Sequence, residues 1–148
     1  MQQSTFQNTL QNEMKIVFDT NCLIMILPKK SPYHCLWEVF RGGRITFCYT
    51  TEILQEYEEL LLRFYSYNYA QLTVEMLLKS PNVIQVIPYY KWNLISADPD
   101  DNKFVDCALN AGAHYIVTND HHFNVLKTLS FPPIKVVNIE TFKSILEL

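Results

Sequence analysis

Five aspartates crowd the segment SADPDDNKFVDCALNAGAHYIVTND, which runs from Ser96 to Asp120: Asp98, Asp100, Asp101, Asp106 and Asp120. The last follows the apolar run Tyr115-Ile116-Val117. Far upstream, Asp19 closes a second apolar run, MKIVF, from Met14 to Phe18. Carboxylate oxygens are the hard ligands that Mg²⁺ and Mn²⁺ prefer. Such ions suit phosphodiester cleavage, which needs a water made nucleophilic and a leaving oxygen stabilised; in the two-metal form the ions stand ~3.5–4 Å apart. Two like charges repel by ~4 kcal/mol at 4 Å when the effective dielectric is ~20. Acids gathered in one cleft therefore either bind a cation or shift some pKa values upward.

The elements that must position these residues are legible from pattern. Met14–Phe18 is apolar on consecutive positions, as a strand covered on both faces is. Thr20–Leu27 reads as a helix stopped near Pro28. Ser31-Pro32 reads as cap and first turn of another, which ends at Gly42-Gly43. Arg44–Tyr49 (RITFCY) is a second strand. Thr50 or Thr51 caps a helix through about Tyr65, with Ile53, Tyr57, Leu60 and Phe64 as its apolar stripe. A further helix covers about Tyr69–Lys79, and VIQVI, Val83–Ile87, is a third strand. The spacing then predicts a helix over Asp101–Asn110 ended by Gly112, a strand over Tyr115–Thr118 and a short helix over His121–Lys127. A strand over Ile134–Val137, after Pro132-Pro133, and a closing helix over Glu140–Leu148 complete the chain. This alternation predicts an α/β fold: a three-layer α/β/α sandwich around a parallel sheet of about five strands. Ligands of such sheets gather beyond the carboxyl ends of the strands, which is where Asp19 and Asp120 fall. Asp101 opens the helix after the third strand and its loop, at the same edge.

Each acid also has a plainer reading. Asp19 and Asp120 precede helices and suit caps. Asp98-Pro99-Asp100-Asp101 suits a turn followed by a cap, with Asp98 and Asp100 in those roles and Asp101 left for metal. Asp106 lies on another face of its helix, as a structural or supporting group. Glu56 borders the stripe of its helix, but Glu58 flanks the opposite border almost as closely, so spacing alone does not single it out.

The segments VFDTNCLI, TTEILQEYEELL, DPDDNKFVDCALNAGAHYIVTND and HFNVL, taken in order, resemble the PIN domain. More narrowly, they resemble bacterial PIN-family proteins regarded as toxins of toxin–antitoxin pairs. The match runs from Met14 almost to the end. The resemblance implies a parallel sheet between helices and cleavage of single-stranded RNA with one or two Mg²⁺ or Mn²⁺ ions. It assigns the acidic ligands to Asp19, Glu56, Asp101 and Asp120, the D-x-N amide to Asn21 and the T-x-D hydroxyl to Thr118. The last two either orient a carboxylate or metal-bound water or cap the local backbone. It also implies a cognate antitoxin that occupies the cleft. Cleavage would leave a 3′-hydroxyl and a 5′-phosphate, with no covalent intermediate on the protein. The alternative is a non-catalytic RNA- or protein-binding module on the same scaffold. RNA and DNA are not distinguished, because recognition of the 2′-hydroxyl leaves no readable mark. FDTN lacks the D-x-D of aspartyl-phosphate phosphatases.

Length and composition suit one domain: 148 residues, 49% hydrophobic and 18% charged. Residues 1–13 are polar and read as a flexible extension ahead of a domain over 14–148. They lack the pattern of a secretory signal. No apolar stretch nears the ~18 residues of a membrane span. Cys22, Cys35, Cys48 and Cys107 are widely spaced, as reduced thiols of a cytoplasmic protein are. With His34, His121 and His122 they match no zinc spacing. The net charge of −3 argues against binding nucleic acid by bulk charge alone. With four acids committed to cations, however, 12 basic residues face only eleven remaining acids. Lys29, Lys30, Arg44 and His121 are the foremost candidates for phosphate contact, with Arg41, Arg63, His122 and Lys127 behind them. Phe64, Tyr65, Tyr67 and Tyr69 either stack bases, pack a turn or cover a homodimer interface.

Overall fold

In the computed structural model, described over residues 14–95, 98–130 and 133–148, five strands form one sheet of order β3-β2-β1-β4-β5. The strands are β1 (Met14–Phe18), β2 (Ile45–Tyr49), β3 (Val83–Gln85), β4 (Tyr115–Val117) and β5 (Val136–Val137). Every neighbouring pair is parallel, so the fold is the α/β/α sandwich expected of the pattern. The extension expected over residues 1–13 and Pro132 lie outside the described residues.

β1 is central. Ile16 pairs with Phe47 on one side and Tyr115 on the other. Ile16, Val17 and Phe18 are all buried, because helices cover both faces. The helices are α1 (Thr20–Ile26), α2 (His34–Arg41), α3 (Thr51–Phe64), α4 (Tyr67–Lys79), α5 (Asn102–Ala111) and α6 (Ile139–Ile145). Right-handed crossovers put α1–α4 on one face and α5 on the other. Phe40 of α2 stacks on Phe47, Phe47 meets Phe18, and Phe18 meets Phe142 of α6 edge-on. Phe104 of α5 meets Phe123 with ring centres 6.4 Å apart. α5 crosses β1, β2 and β4. Among the described residues no helix is long and apolar enough to cross a membrane. The four cysteines form no disulfide, and burial pushes the thiols of Cys22 and Cys48 up to about 12 and about 11.

The turn chemistry sets most boundaries as expected. Thr50 accepts from the Ile53 N–H at 3.3 Å and starts α3. Gly112, at φ 64°, accepts the left-handed conformation that closes α5. Three details differ from the pattern. α2 begins at His34 rather than at Ser31, because the Ser31 hydroxyl donates to the Met25 carbonyl at 2.5 Å and accepts from Tyr33 N–H. The last carbonyls of α1 lack helical donors, and a nearby hydroxyl satisfies one of them. The stripe of α3 is Ile53, Tyr57 and Leu61; Leu60 is only half-buried and Phe64 is 62% exposed. Past Tyr57 the helix leaves the sheet and packs on α4 instead, so its buried face shifts by one position, placing Leu61 with Ala70 and Val74. The edge strands β3 and β5 are shorter than the apolar runs that encode them, since an edge strand has a partner on one side only.

Candidate metal centre

The sheet order reverses between β1 and β4, because β2 and β3 lie to one side of β1 while β4 and β5 lie to the other. Chain segments leave the carboxyl ends of these two strands in opposite directions, and a crevice opens between them. Asp19 follows β1 directly, and Asp120 lies three positions past the end of β4. Asp101 ends a single 3-10 turn, Pro99–Asp101, ahead of α5, and Glu56 lies on α3. The four acids enter each other's fields. Asp19 is pushed above the usual carboxylate range first by burial, with the charges of Glu56 and Asp120 adding to it and the Thr118 hydroxyl opposing. Asp101 is pushed up to about 7 by burial, then by the charges of Asp98, Asp120 and Asp19.

Asp19 is 7% exposed and makes no side-chain cap on α1. Its Oδ2 accepts from the Thr118 hydroxyl at 2.7 Å. The same hydroxyl accepts from the Asp120 N–H at 3.0 Å. Thr118 thus ties the ends of the two central strands together. Asp120 does cap the 3-10 segment His121–Thr128, through Oδ1 and the His122 N–H at 2.9 Å. The capping reading therefore holds for one oxygen of Asp120 and fails for Asp19 and Asp101, neither of which caps its helix.

Asp101 Oδ2 and His122 Nδ1 are both sealed from solvent and make no hydrogen bond. They lie 3.9 Å apart, and the same nitrogen is 3.4 Å from Asp120 Oδ1. Asp98, Asp101 and His122 present ligand-type atoms all within 4.8 Å of one another, as do Asp120, His121 and His122. Buried polar atoms without partners are costly, and a divalent cation is the partner that oxygen and imidazole donors at these separations share. The residues therefore fit a divalent cation held by carboxylate oxygens with one imidazole nitrogen.

Glu56 stands apart from that group. Its Oε2 accepts from the Thr20 hydroxyl, and its Oε1 lies 3.3 Å from the Lys103 ammonium. Spacing did not point to Lys103 or Thr20, since a lysine two residues after an N-cap and a threonine after a strand carry no such signal. Tyr57, one residue beyond Glu56, donates its hydroxyl to the Phe18 carbonyl and anchors α3 beneath the crevice. Asp106 is buried and accepts from the Trp92 N–H at 2.9 Å, which makes it a clamp on the loop before α5. Asn102 clamps Ile95 in the same loop by two hydrogen bonds of 2.9 Å. Asp98 accepts from Asp100 N–H, the turn role expected of it, while also facing Asp101 and His122.

The residues expected at phosphates divide. Lys29 and Lys30 are exposed in the turn between α1 and α2, and Asn21 is exposed on α1. Arg44 precedes β2, so it lies at the amino-terminal edge of a parallel sheet, the edge opposite Asp19 and Asp120. Its nearness to Lys29 and Lys30 in sequence does not survive the passage through α2. Arg41 lines a depression of about 700 Å³ at that far edge, with Gly43, Met76, Lys79 and Asn82. His121 is 83% exposed, and its neighbour His122 is the histidine turned inward. In the aromatic run Phe64, Tyr67 and Tyr69 are exposed, and the Tyr65 and Tyr69 rings meet at 4.4 Å over the α3–α4 turn.

Comparison with known proteins bears on the fold and the family. No curated protein matches the chain. Among solved structures, a chain of the VapBC2 complex of Rickettsia felis bound to a DNA fragment from their promoter is similar, with a TM-score of 0.59 and 17% identity. The similarity covers 84% of this chain and 98% of that one, and it bears on the fold. The PIN domain family model matches residues 15–122, a span that takes in β1 to β4, all four acids and His122, and the chain belongs to the PIN domain family.

Proposed function

We propose that the protein is a divalent-metal-dependent endoribonuclease that cuts single-stranded RNA in the crevice between β1 and β4. The observation that carries this reading is the pair of buried, unpartnered atoms, Asp101 Oδ2 and His122 Nδ1, beside Asp98, Asp120 and Asp19. Asp98, Asp101 and His122 would hold a Mg²⁺ or Mn²⁺ ion, with Asp120 beside His122 and Asp19 at the margin. A bound divalent ion supplies positive charge at the scissile phosphate and a water of lowered pKa. Thr118 holds Asp19 and the Asp120 backbone in register, and Asn21, exposed on α1, would meet the RNA or water at the ion. Glu56 closes the acidic wall. Lys29, Lys30 and His121 are exposed cations available to the RNA backbone; the opposite-edge position of Arg44 removes it from that set.

By analogy with the VapBC2 complex, the protein works as the toxin of a toxin–antitoxin pair in the cytoplasm, with an antitoxin that covers this crevice. The exposed aromatic residues at the α3–α4 turn are available to that partner or to a second copy of the chain.

The test uses purified protein on single-stranded RNA and single-stranded DNA of the same sequence, with Mn²⁺ or with chelator. Cleavage of RNA that disappears in chelator and in Asp101→Asn supports the reading. Cleavage that persists in chelator overturns the metal role. Absence of cleavage together with no rise in melting temperature at millimolar Mn²⁺ supports a binding module instead.

A further inference from the structure

We infer that Lys103 supplies a built-in positive charge at the Glu56 side of the crevice, so that the site takes one divalent ion rather than two. The inference rests on the nuclease reading, since it concerns the same crevice. It begins from how the acids divide. Asp98, Asp101, Asp120 and His122 turn ligand-type atoms toward common points, and two of those atoms have no hydrogen-bond partner. Glu56 has a partner on each oxygen: the Thr20 hydroxyl on Oε2 and the Lys103 ammonium, 3.3 Å away, on Oε1.

Lys103 is no ordinary surface lysine. Its side chain is 14% exposed, although it sits in the first turn of α5 two residues after Asp101. The ammonium is held from two directions, by Glu56 and by the face of the Phe104 ring, whose centre is 5.4 Å away. Lys103 also lines a cavity of about 190 Å³ together with Thr50, Val86, Lys91 and Asp106. Paired ions in two-metal sites stand ~3.5–4 Å apart and share carboxylates. A second ion bound through Glu56 would have to share an oxygen with the Lys103 ammonium or with the Thr20 hydroxyl, close to the ammonium in either case. Against a dication the ammonium repels twice as strongly as against a unit charge at equal distance. Lysine is suited to this role as a compact point charge on a flexible stem. Burial costs an isolated ammonium its hydration, and the carboxylate of Glu56 offsets that cost, so the lysine and the glutamate hold each other in the crevice.

The arrangement makes Lys103 a positioning residue with a consequence that can be counted. Mn²⁺ is titrated into the full chain and followed by calorimetry and by electron paramagnetic resonance, which separates single ions from coupled pairs. Wild type and Lys103→Arg are expected to bind one Mn²⁺ per chain with no Mn–Mn coupling. Lys103→Met and Lys103→Gln are expected to bind two, with coupling, and the double variant Lys103→Met/Glu56→Gln to return to one. Glu56→Gln alone is expected to keep its single ion. Two ions in wild type, or one ion in a folded Lys103→Met or Lys103→Gln, overturns the inference while leaving the nuclease reading intact. So does loss of the single ion in Glu56→Gln, which needs neither lysine variant to fold. Absence of any bound ion in wild type overturns the metal-dependent reading and this inference with it.

Discussion

The chemistry of Asp101 is set by its burial and by the carboxylates around it. Without metal its carboxyl is pushed up to about 7, from an ordinary value of 3.8, because it is buried among Asp98, Asp120 and Asp19. A carboxyl with a raised folded-state pKa holds a proton that the unfolded chain has released. Its contribution to stability is complete below about pH 4 and is lost as pH rises through about 7. The metal-free protein is therefore expected to melt at a higher temperature at pH 6 than at pH 8, and Asp101→Asn is expected to flatten that slope. Metal binding must expel this proton, so Mn²⁺ affinity is expected to rise between pH 6 and 8 in wild type. A pH-independent melting temperature in chelator would contradict the assignment. Thr118 is the second residue to test. Its hydroxyl donates to Asp19 and accepts from the Asp120 N–H. Replacement by valine removes both bonds at a buried position and is expected to cost about 1–3 kcal/mol in denaturant unfolding. The same change is expected to weaken Mn²⁺ binding by roughly 10–100-fold, as loss of a group that orients a ligand does.

Among the elements, α3 carries a prediction that separates pattern from packing. Leu61 is fully buried between α3 and α4, whereas Phe64, which the 3-4 spacing places on the same stripe, is 62% exposed. Leu61→Ala is expected to destabilise by about 2–5 kcal/mol. Phe64→Ala is expected to stay within about 0.5 kcal/mol, like other exposed sites. Chemical denaturation of the two variants measures the contrast. α5 is equally dependent on its ends. Its start is held by the Asn102 and Asp106 clamps on the preceding loop, and its finish by Gly112 at φ 64°. An alanine at Gly112 would meet no atom within 4 Å, so its effect isolates the backbone preference. A loss of about 1 kcal/mol is expected.

At the scale of the whole molecule, the sheet order decides which edge does chemistry. Strand order β3-β2-β1-β4-β5 makes the gap between β1 and β4 the point of reversal, and every candidate ligand except Glu56 follows β1, precedes α5 or follows β4. The opposite edge holds a depression of about 700 Å³, but its acid Glu75 is already paired with Lys79. Arg44→Ala is therefore expected to leave RNA cleavage unchanged. Addition of Mn²⁺ at a hundredfold over its dissociation constant is expected to stabilise the folded chain by about 2.7 kcal/mol, read as an upward shift in melting temperature that Asp101→Asn abolishes.

The chain's own pattern determined the alternation of elements, the parallel sheet, a threonine cap at position 50 or 51, the stop at Gly112, and the position of Asp19 and Asp120 beyond buried strands. These depend on nearest neighbours and on period, which are properties of a linear string. Tertiary structure decided what depends on distance across the fold. It turned His122 inward and His121 outward, carried Arg44 to the far edge, and moved the stripe of α3 from Leu60 to Leu61. It also set Lys103 against Glu56, 47 positions away in the chain. Charge and hydrogen bonding act over a few ångströms of space without regard to separation in sequence, so partners such as these become visible only once the strands have been laid side by side.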